Sequence, residues 1–466
     1  MTFTSFSYFL FLPVVHIIFQ LTADRWRWLV LLFASYGFYA SFKAPYLLGV
    51  LVTVTGVSYA CGLGMAEKVE SVRKRYFWSG CFACAATLGV MKYLPLLHSS
   101  STPPFSSAII SIGVSYFAFQ AISYLVDIYL EIQEPETHFG RFALFLAFFP
   151  KLLQGPIERG SDLLPQLNQP YRFDYNLVRS GLLLFGWGLF KKVAVANRLA
   201  VCADQVYNNL HDHTGISLIV GTYAYALQIY YDFSAYTDMA RGTGMMFGIH
   251  LSENFNRPYL ATSVADFWRR WHMSFSRWIL DYIFKPLQMG WRNWGKSGTA
   301  AALIITFFVS GIWHGPTWGF VVWGLLHGTY LAVSTYYSPY QKRLHKMLRV
   351  EKTVWLRCWQ VMVTFNLVCV AWIFFRAKTL DDAIYVLTHL GVIDNSTLAN
   401  LINITSVREG LVLVFLLTLT VSVSCLSKGR SLLEVPLRLR WGIYYCLALA
   451  IMVFSRSSES FIYFRF

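Results

Sequence analysis

Two histidines, His314 and His272, are the side chains of this sequence best suited to moving a proton near neutral pH. His314 lies in Gly311-Ile312-Trp313-His314-Gly315, within a run from Leu303 to Gly319 that holds no other ionisable group. A titratable group at membrane depth is costly to bury, so it faces a cavity or a partner and tends to mark a function. As a general base, His314 would take the proton of a hydroxyl or thiol and prepare it to attack a thioester. As a structural residue, it would hydrogen-bond between packed helices. Gly311 and Gly315 permit close backbone approach, and Pro316 is expected to end or kink the helix just beyond.

His272 closes the upstream string Trp268-Arg269-Arg270-Trp271-His272. On a helical wheel Phe267, Trp268, Trp271, Phe275, Trp278, Ile279 and Tyr282 cover about 140°. Asp266, Arg270 and Arg277 lie opposite, so 266–285 reads as one amphipathic interfacial helix. His272 then sits at the edge of its apolar stripe, as a functional group or as a snorkelling side chain. His327, in Trp323-Gly324-Leu325-Leu326-His327-Gly328, reads first as a packing residue or a support for the site. The three histidines lack the compact spacing of a zinc site, so no metal is expected.

Asp232 and Asp238, in Tyr230-Tyr231-Asp232-Phe233-Ser234-Ala235-Tyr236-Thr237-Asp238, are turned by about 240° on a helix. Each is expected to bind its own partner, either an arginine of 269–277 or a substrate group. The run from Phe148 to Arg159, with Pro150, Gly155 and Pro156, reads as a broken helix or re-entrant loop lining a cavity. The chain ends on Ser460-Phe461-Ile462-Tyr463-Phe464-Arg465-Phe466, an interfacial aromatic anchor in which Tyr463 carries a hydroxyl able to accept an acyl group.

The elements that must position these groups are helices in a bilayer. Of 466 residues 56% are hydrophobic and only 14% charged, against about 25% charged in a soluble domain. Apolar stretches long enough to cross recur throughout, at 7–21, 28–42, 45–65, 76–94, 106–130, 139–154, 178–203, 214–232, 233–250, 298–313, 317–337, 355–375, 409–427 and 441–454. The expected fold is an all-α polytopic membrane protein of about 11–13 crossings plus re-entrant and interfacial helices.

One domain is expected over 1–466, with N-terminal helices to 138, a core at 139–338 that holds the polar chemistry, and C-terminal helices at 339–466. The net charge of +15 fits the positive-inside rule better than nucleic-acid binding. Arg25, Arg27, Lys68, Arg73, Lys74 and Arg75 fall in alternate loops, and the loop Pro95 to Ser107 has no lysine or arginine. That places the amino terminus outside, and the first span reads as retained rather than as a signal peptide. The eight cysteines, Cys81 and Cys84 included, read as small buried hydrophobes.

These motifs together resemble the membrane-bound O-acyltransferase (MBOAT) superfamily, in its bacterial branch of alginate and peptidoglycan O-acetyltransferase membrane subunits. The similar strings are Leu31-Leu32-Phe33-Ala34-Ser35-Tyr36, Phe149-Pro150 through Gly155-Pro156, Tyr231-Asp232-Phe233-Ser234 and Glu253-Asn254-Phe255. They continue with Asp266 to His272, Gly311 to Gly315, Trp372-Ile373-Phe374-Phe375-Arg376-Ala377 and Phe461 to Phe464, in family order. Ala235 stands where that branch usually has glycine.

The resemblance implies that His314 is the catalytic histidine and His272 the second motif position. It implies a central tunnel and a cytoplasmic thioester donor, acetyl-CoA, used as substrate with no bound cofactor. The acceptor is a cell-surface or periplasmic polysaccharide, reached through an SGNH-type extracellular transferase. Tyr463 is a candidate acyl relay, and Asn254, Asp232, Asp238, Trp313, Arg269, Arg270 and Trp271 are candidate substrate contacts. The site is expected in a multi-pass protein of the cytoplasmic (inner) membrane. D-alanyl transfer to teichoic acid from a carrier protein is the rival enzyme reading; a scaffold or a transporter is the non-enzyme one.

Overall fold

The computed structural model describes every residue apart from 43, 68, 98–112, 393–403, 405, 427–435, 456–460 and 462–466. Tyr463, Lys68 and most of the Pro95–Ser107 loop lie outside the described residues. Among the described residues the chain is helical and has no strand. A helix satisfies its backbone within the segment, which apolar surroundings demand. Pro45–Gly64, Arg292–His314 and Val354–Arg376 are long and apolar enough to cross a membrane, and Phe6–Leu21 is a shorter apolar helix.

Two compact units divide the chain, Met1–Leu189 with Phe233–Glu253, and Phe190–Asp232 with Asn254–Glu459. The first unit holds α1 (Phe6–Leu21), α2 (Arg27–Ala40), α3 (Pro45–Gly64), α4 (Glu70–Leu97), α5 (Val114–Tyr129), α6 (Phe139–Ala147), α7 (Gly160–Asn168) and nearly all of α8 (Tyr175–Phe190). Phe3, Tyr8, Phe38, Phe149, Phe185 and Tyr236 form its aromatic core. The stretch 139–154 is not one span: α6 stops at Ala147, and Pro150, which lacks an N–H, lies in the turns that follow. Those turns are buried, and Ser35 Oγ accepts the Phe149 N–H at 3.0 Å, replacing a bond the helix no longer supplies.

The second unit begins with a wide π turn at Lys191–Ala196 that leads into α9 (Asn197–Asn208). Then comes α10 (Ile216–Met246), which passes from the second unit into the first at Phe233. The two spans expected at 214–232 and 233–250 are therefore one helix, because nothing between Ile216 and Met246 breaks it. Beyond Glu253 lie the short helices α11 (Val264–Trp268), α12 (Met273–Ile279) and α13 (Lys285–Gly290). The longer helices follow: α14 (Gly295–His314), α15 (Trp318–Met347), α16 (Val354–Arg376), α17 (Leu380–His389), α18 (Val407–Leu426) and α19 (Leu437–Phe454).

Helices α14 and α15 form a hairpin whose backbones touch. A Cβ on Gly324 would lie 2.3 Å from the carbonyl oxygen of Phe307, and one on Gly311 2.4 Å from that of Phe320. Small residues allow such an approach in membranes. Neither obstacle is a movable side-chain end, so Gly324→Val is expected to destabilise the protein by about 1–3 kcal/mol through overpacking. Thermal unfolding in detergent measures this, and an unchanged midpoint would show that the hairpin tolerates separation.

Candidate active site

Helix α14 ends on His314. Gly315 continues in an extended conformation and Pro316 follows, as the sequence predicts. The imidazole, 5% exposed, is enclosed by aromatic rings. Trp313 lies 4.4 Å away between ring centroids, Trp323 of α15 4.8 Å, and Phe375 of α16 4.9 Å. Phe320 is at 6.2 Å. The sequence reading picked out Trp313 but not Trp323 or Phe375, which reach His314 only because α15 and α16 pack against the end of α14.

His272 is brought to the same place by a break in the chain. The amphipathic helix expected over 266–285 is not continuous: α11 ends at Trp268, α12 starts at Met273, and a π turn follows at Leu280–Phe284. His272 caps α12 in the left-handed region, at φ 40° and ψ 56°. It is 1% exposed, so it does not sit between core and water as the wheel suggests. Its ring lies 5.2 Å from Phe275, which stacks on Trp313 at 4.4 Å and lies 6.3 Å from His314. Phe275 thus joins the two histidines into one aromatic cluster.

Asn254 holds this turn. Its Oδ1 accepts the Ser274 N–H at 3.1 Å and the Ser274 hydroxyl at 2.6 Å, with His272 Nδ1 at 3.4 Å. The Met273 N–H donates to the Asn254 carbonyl at 3.0 Å, and the Asn256 N–H to the Arg270 carbonyl at 2.9 Å. The segment after Glu253 is therefore stitched alongside residues 270–274.

A left-handed backbone at position 272 suits histidine, asparagine and glycine and excludes β-branched residues. His272→Asn is expected to keep the turn, whereas His272→Val should cost about 1–3 kcal/mol in strain. Comparing thermal midpoints in detergent checks this; equal midpoints would mean that the turn adapts to either residue.

The other candidates separate into groups. Trp271 is buried among Phe255 at 5.1 Å, Trp372 at 5.2 Å and Phe267 at 5.4 Å. Arg270 is engaged by Asp266 at 2.9 Å, and Arg269 is exposed. His327 is fully buried, and its Nδ1 accepts the Trp268 indole N–H at 3.2 Å, tying α15 to α11. Asp232 is buried, and its ion-pair partner comes from outside 269–277. It pairs with Lys192 at 2.5 Å, each side chain 3% exposed. The π turn Lys191–Ala196 places that lysine, whose signal in the sequence is Lys191-Lys192 inside an apolar stretch. Asp238 is half-buried and falls in the first unit, apart from Asp232.

The remaining family strings also have structural work. Arg376, at the end of α16, pairs with Asp204 of α9 at 2.6 Å and stands 5.2 Å over the Tyr207 ring. In the first unit, buried Lys151 donates to Gln120, and buried Glu158 accepts from the Ser252 N–H at 2.6 Å and hydroxyl at 2.9 Å. The sequence reading noted this segment for its prolines and not for these two charges.

Residues 132–375 match the membrane-bound O-acyltransferase family. The chain is 36% identical to the probable alginate O-acetylase AlgI of Azotobacter vinelandii, over 80% of this chain and 74% of that protein. It is 32% identical to the peptidoglycan O-acetyltransferase of Helicobacter pylori, over 94% and 91% respectively. With the teichoic acid D-alanyltransferase of Bacillus subtilis it shares 26% identity over 65% and 78%. His314, His272 and Asn254 all fall within the matched segment, and the chain belongs to the membrane-bound O-acyltransferase family as an integral-membrane acyltransferase.

Proposed function

We propose that the protein is a membrane O-acetyltransferase that takes an acetyl group from acetyl-CoA on the cytoplasmic side for O-acetylation of a cell-surface or periplasmic polysaccharide. The observation that carries this reading is a histidine closing a long apolar helix inside an aromatic enclosure, with His272 beside it across Phe275. Relatives named for alginate and peptidoglycan acetylation support the acetyl group and the polysaccharide acceptor.

In the reaction, His314 takes the proton of the acceptor hydroxyl, and the oxygen adds to the thioester carbonyl. The tetrahedral oxyanion collapses, the C–S bond breaks, and the leaving thiolate collects the proton from the imidazolium. An ester and a free thiol result. Each well-aimed donor to the oxyanion would lower the barrier by roughly 3–4 kcal/mol. The aromatic walls keep water from competing for the thioester. His272 and Asn254 act as positioning residues, since Asn254 fixes the turn from which His272 projects. The protein works in the cytoplasmic membrane with an SGNH-type extracellular transferase, and Tyr463 relays the acetyl group.

Membranes containing the protein, given labelled acetyl-CoA or an acylated carrier protein, test the donor. Label reaching polysaccharide from acetyl-CoA is the expected result. Transfer from the carrier protein alone would overturn it in favour of the D-alanyl reaction. Retained transfer by Tyr463→Phe would remove the tyrosine relay.

A further inference from the structure

The first unit holds a cavity whose lining residues have no role in the site described above. It lies between the end of α1, the start of α2, α6 and the chain after α7, and has a volume of about 220 Å³. Arg25, Arg27, Trp28, Arg141, Leu144 and Phe247 are among its lining residues. Asp24 is the single carboxylate on its wall, and it is taken up by Arg27. Arg27 is already engaged: its Nε donates to the carbonyls of Phe19 at 3.1 Å and Thr22 at 3.0 Å, and its Nη1 to that of Tyr171 at 3.0 Å.

Two cationic side chains remain. Arg141 has a buried Nε with no hydrogen-bond partner among the described residues. Arg25 is exposed on the loop between α1 and α2. Arg141 lines the cavity, and an anion held there would pair with its guanidinium. The rest of the wall mixes the amides of Gln166, Asn168 and Gln169 with apolar side chains. Trp28 packs edge-on against His138 at 4.8 Å and closes over Gly140, where a Cβ would come within 2.1 Å of its ring.

We propose that this cavity binds the phosphate ester of an anionic lipid headgroup, with the phosphate between Arg25 and Arg141 and the glycerol portion against Trp28 and Leu144. Three observations favour a lipid over a soluble phosphate. The cavity lies where the apolar helix α1 gives way to the polar turn Thr22–Trp26. Exposed Trp26 and half-buried Trp28 flank it, as indole rings do at a bilayer surface. Its walls combine arginines and the amides of Gln166, Asn168 and Gln169 with aliphatic and aromatic side chains, so polar groups for a headgroup adjoin an apolar surface for the glycerol portion.

Native mass spectrometry of the full-length protein in detergent, titrated with short-chain phosphatidylglycerol or phosphatidylcholine, tests the site. The expected result is one saturable phosphatidylglycerol adduct, preferred over phosphatidylcholine and weakened roughly five-fold by each of Arg25→Gln and Arg141→Gln. Arg25 is exposed, so Arg25→Gln keeps the test decisive should Arg141→Gln not fold. Equal adducts with both lipids, or adducts unchanged in the variants, would overturn the proposal. Displacement by glycerol phosphate at the same concentration would retain the phosphate contact and overturn the lipid as its source.

Discussion

His314→Ala is expected to lower acyl transfer by a factor of about 10²–10⁴, the usual contribution of a positioned general acid–base. The rate is read from labelled donor in membranes holding equal amounts of protein. His314→Gln should lose nearly as much, since an amide keeps hydrogen-bonding capacity but cannot carry the proton. That variant separates chemistry from packing: the histidine touches Trp313, Trp323 and Phe375, so alanine also leaves a hole. Turnover equal to wild type in both variants would remove His314 from the reaction and leave it a packing residue at the end of α14.

Asp232→Ala is expected to destabilise the protein by about 3–5 kcal/mol, because it leaves the Lys192 charge buried without its carboxylate. The two side chains are 3% exposed and 2.5 Å apart, so no solvent is at hand to replace the lost partner. Replacing both, as Lys192→Met with Asp232→Leu, should restore most of the loss, since well-packed apolar pairs often match buried ion pairs in stability. Thermal unfolding in detergent follows all three proteins. A double variant as unstable as the single one would show that Asp232 matters through some other contact. A stable double variant without acyl transfer would return Asp232 to the substrate, one of the two roles its sequence context allows.

The sequence by itself determined the class of protein and the position of its chief histidine. Continuous apolar runs with few charges leave the helix as the economical way to satisfy a backbone, and helices are what form. A proline two residues past His314 ends α14 where the local string says it must. The order of short motifs along the chain was enough to indicate the family, because each motif is a local string and order needs no geometry.

Tertiary structure decided what surrounds those residues. A helical wheel assumes continuity, so it put His272 on a surface stripe; the left-handed turn held by Asn254 puts it inside instead. The pattern of residues 230–238 announced a buried carboxylate without naming its partner. Any cation that the topology delivers will serve, and a widened turn delivered Lys192. Trp323 and Phe375 enclose His314 because glycines let α14 and α15 touch and α16 closes over their end. Sequence periodicity reports which face of an element is apolar. It carries no record of which distant face will meet it, and this site is made from such meetings.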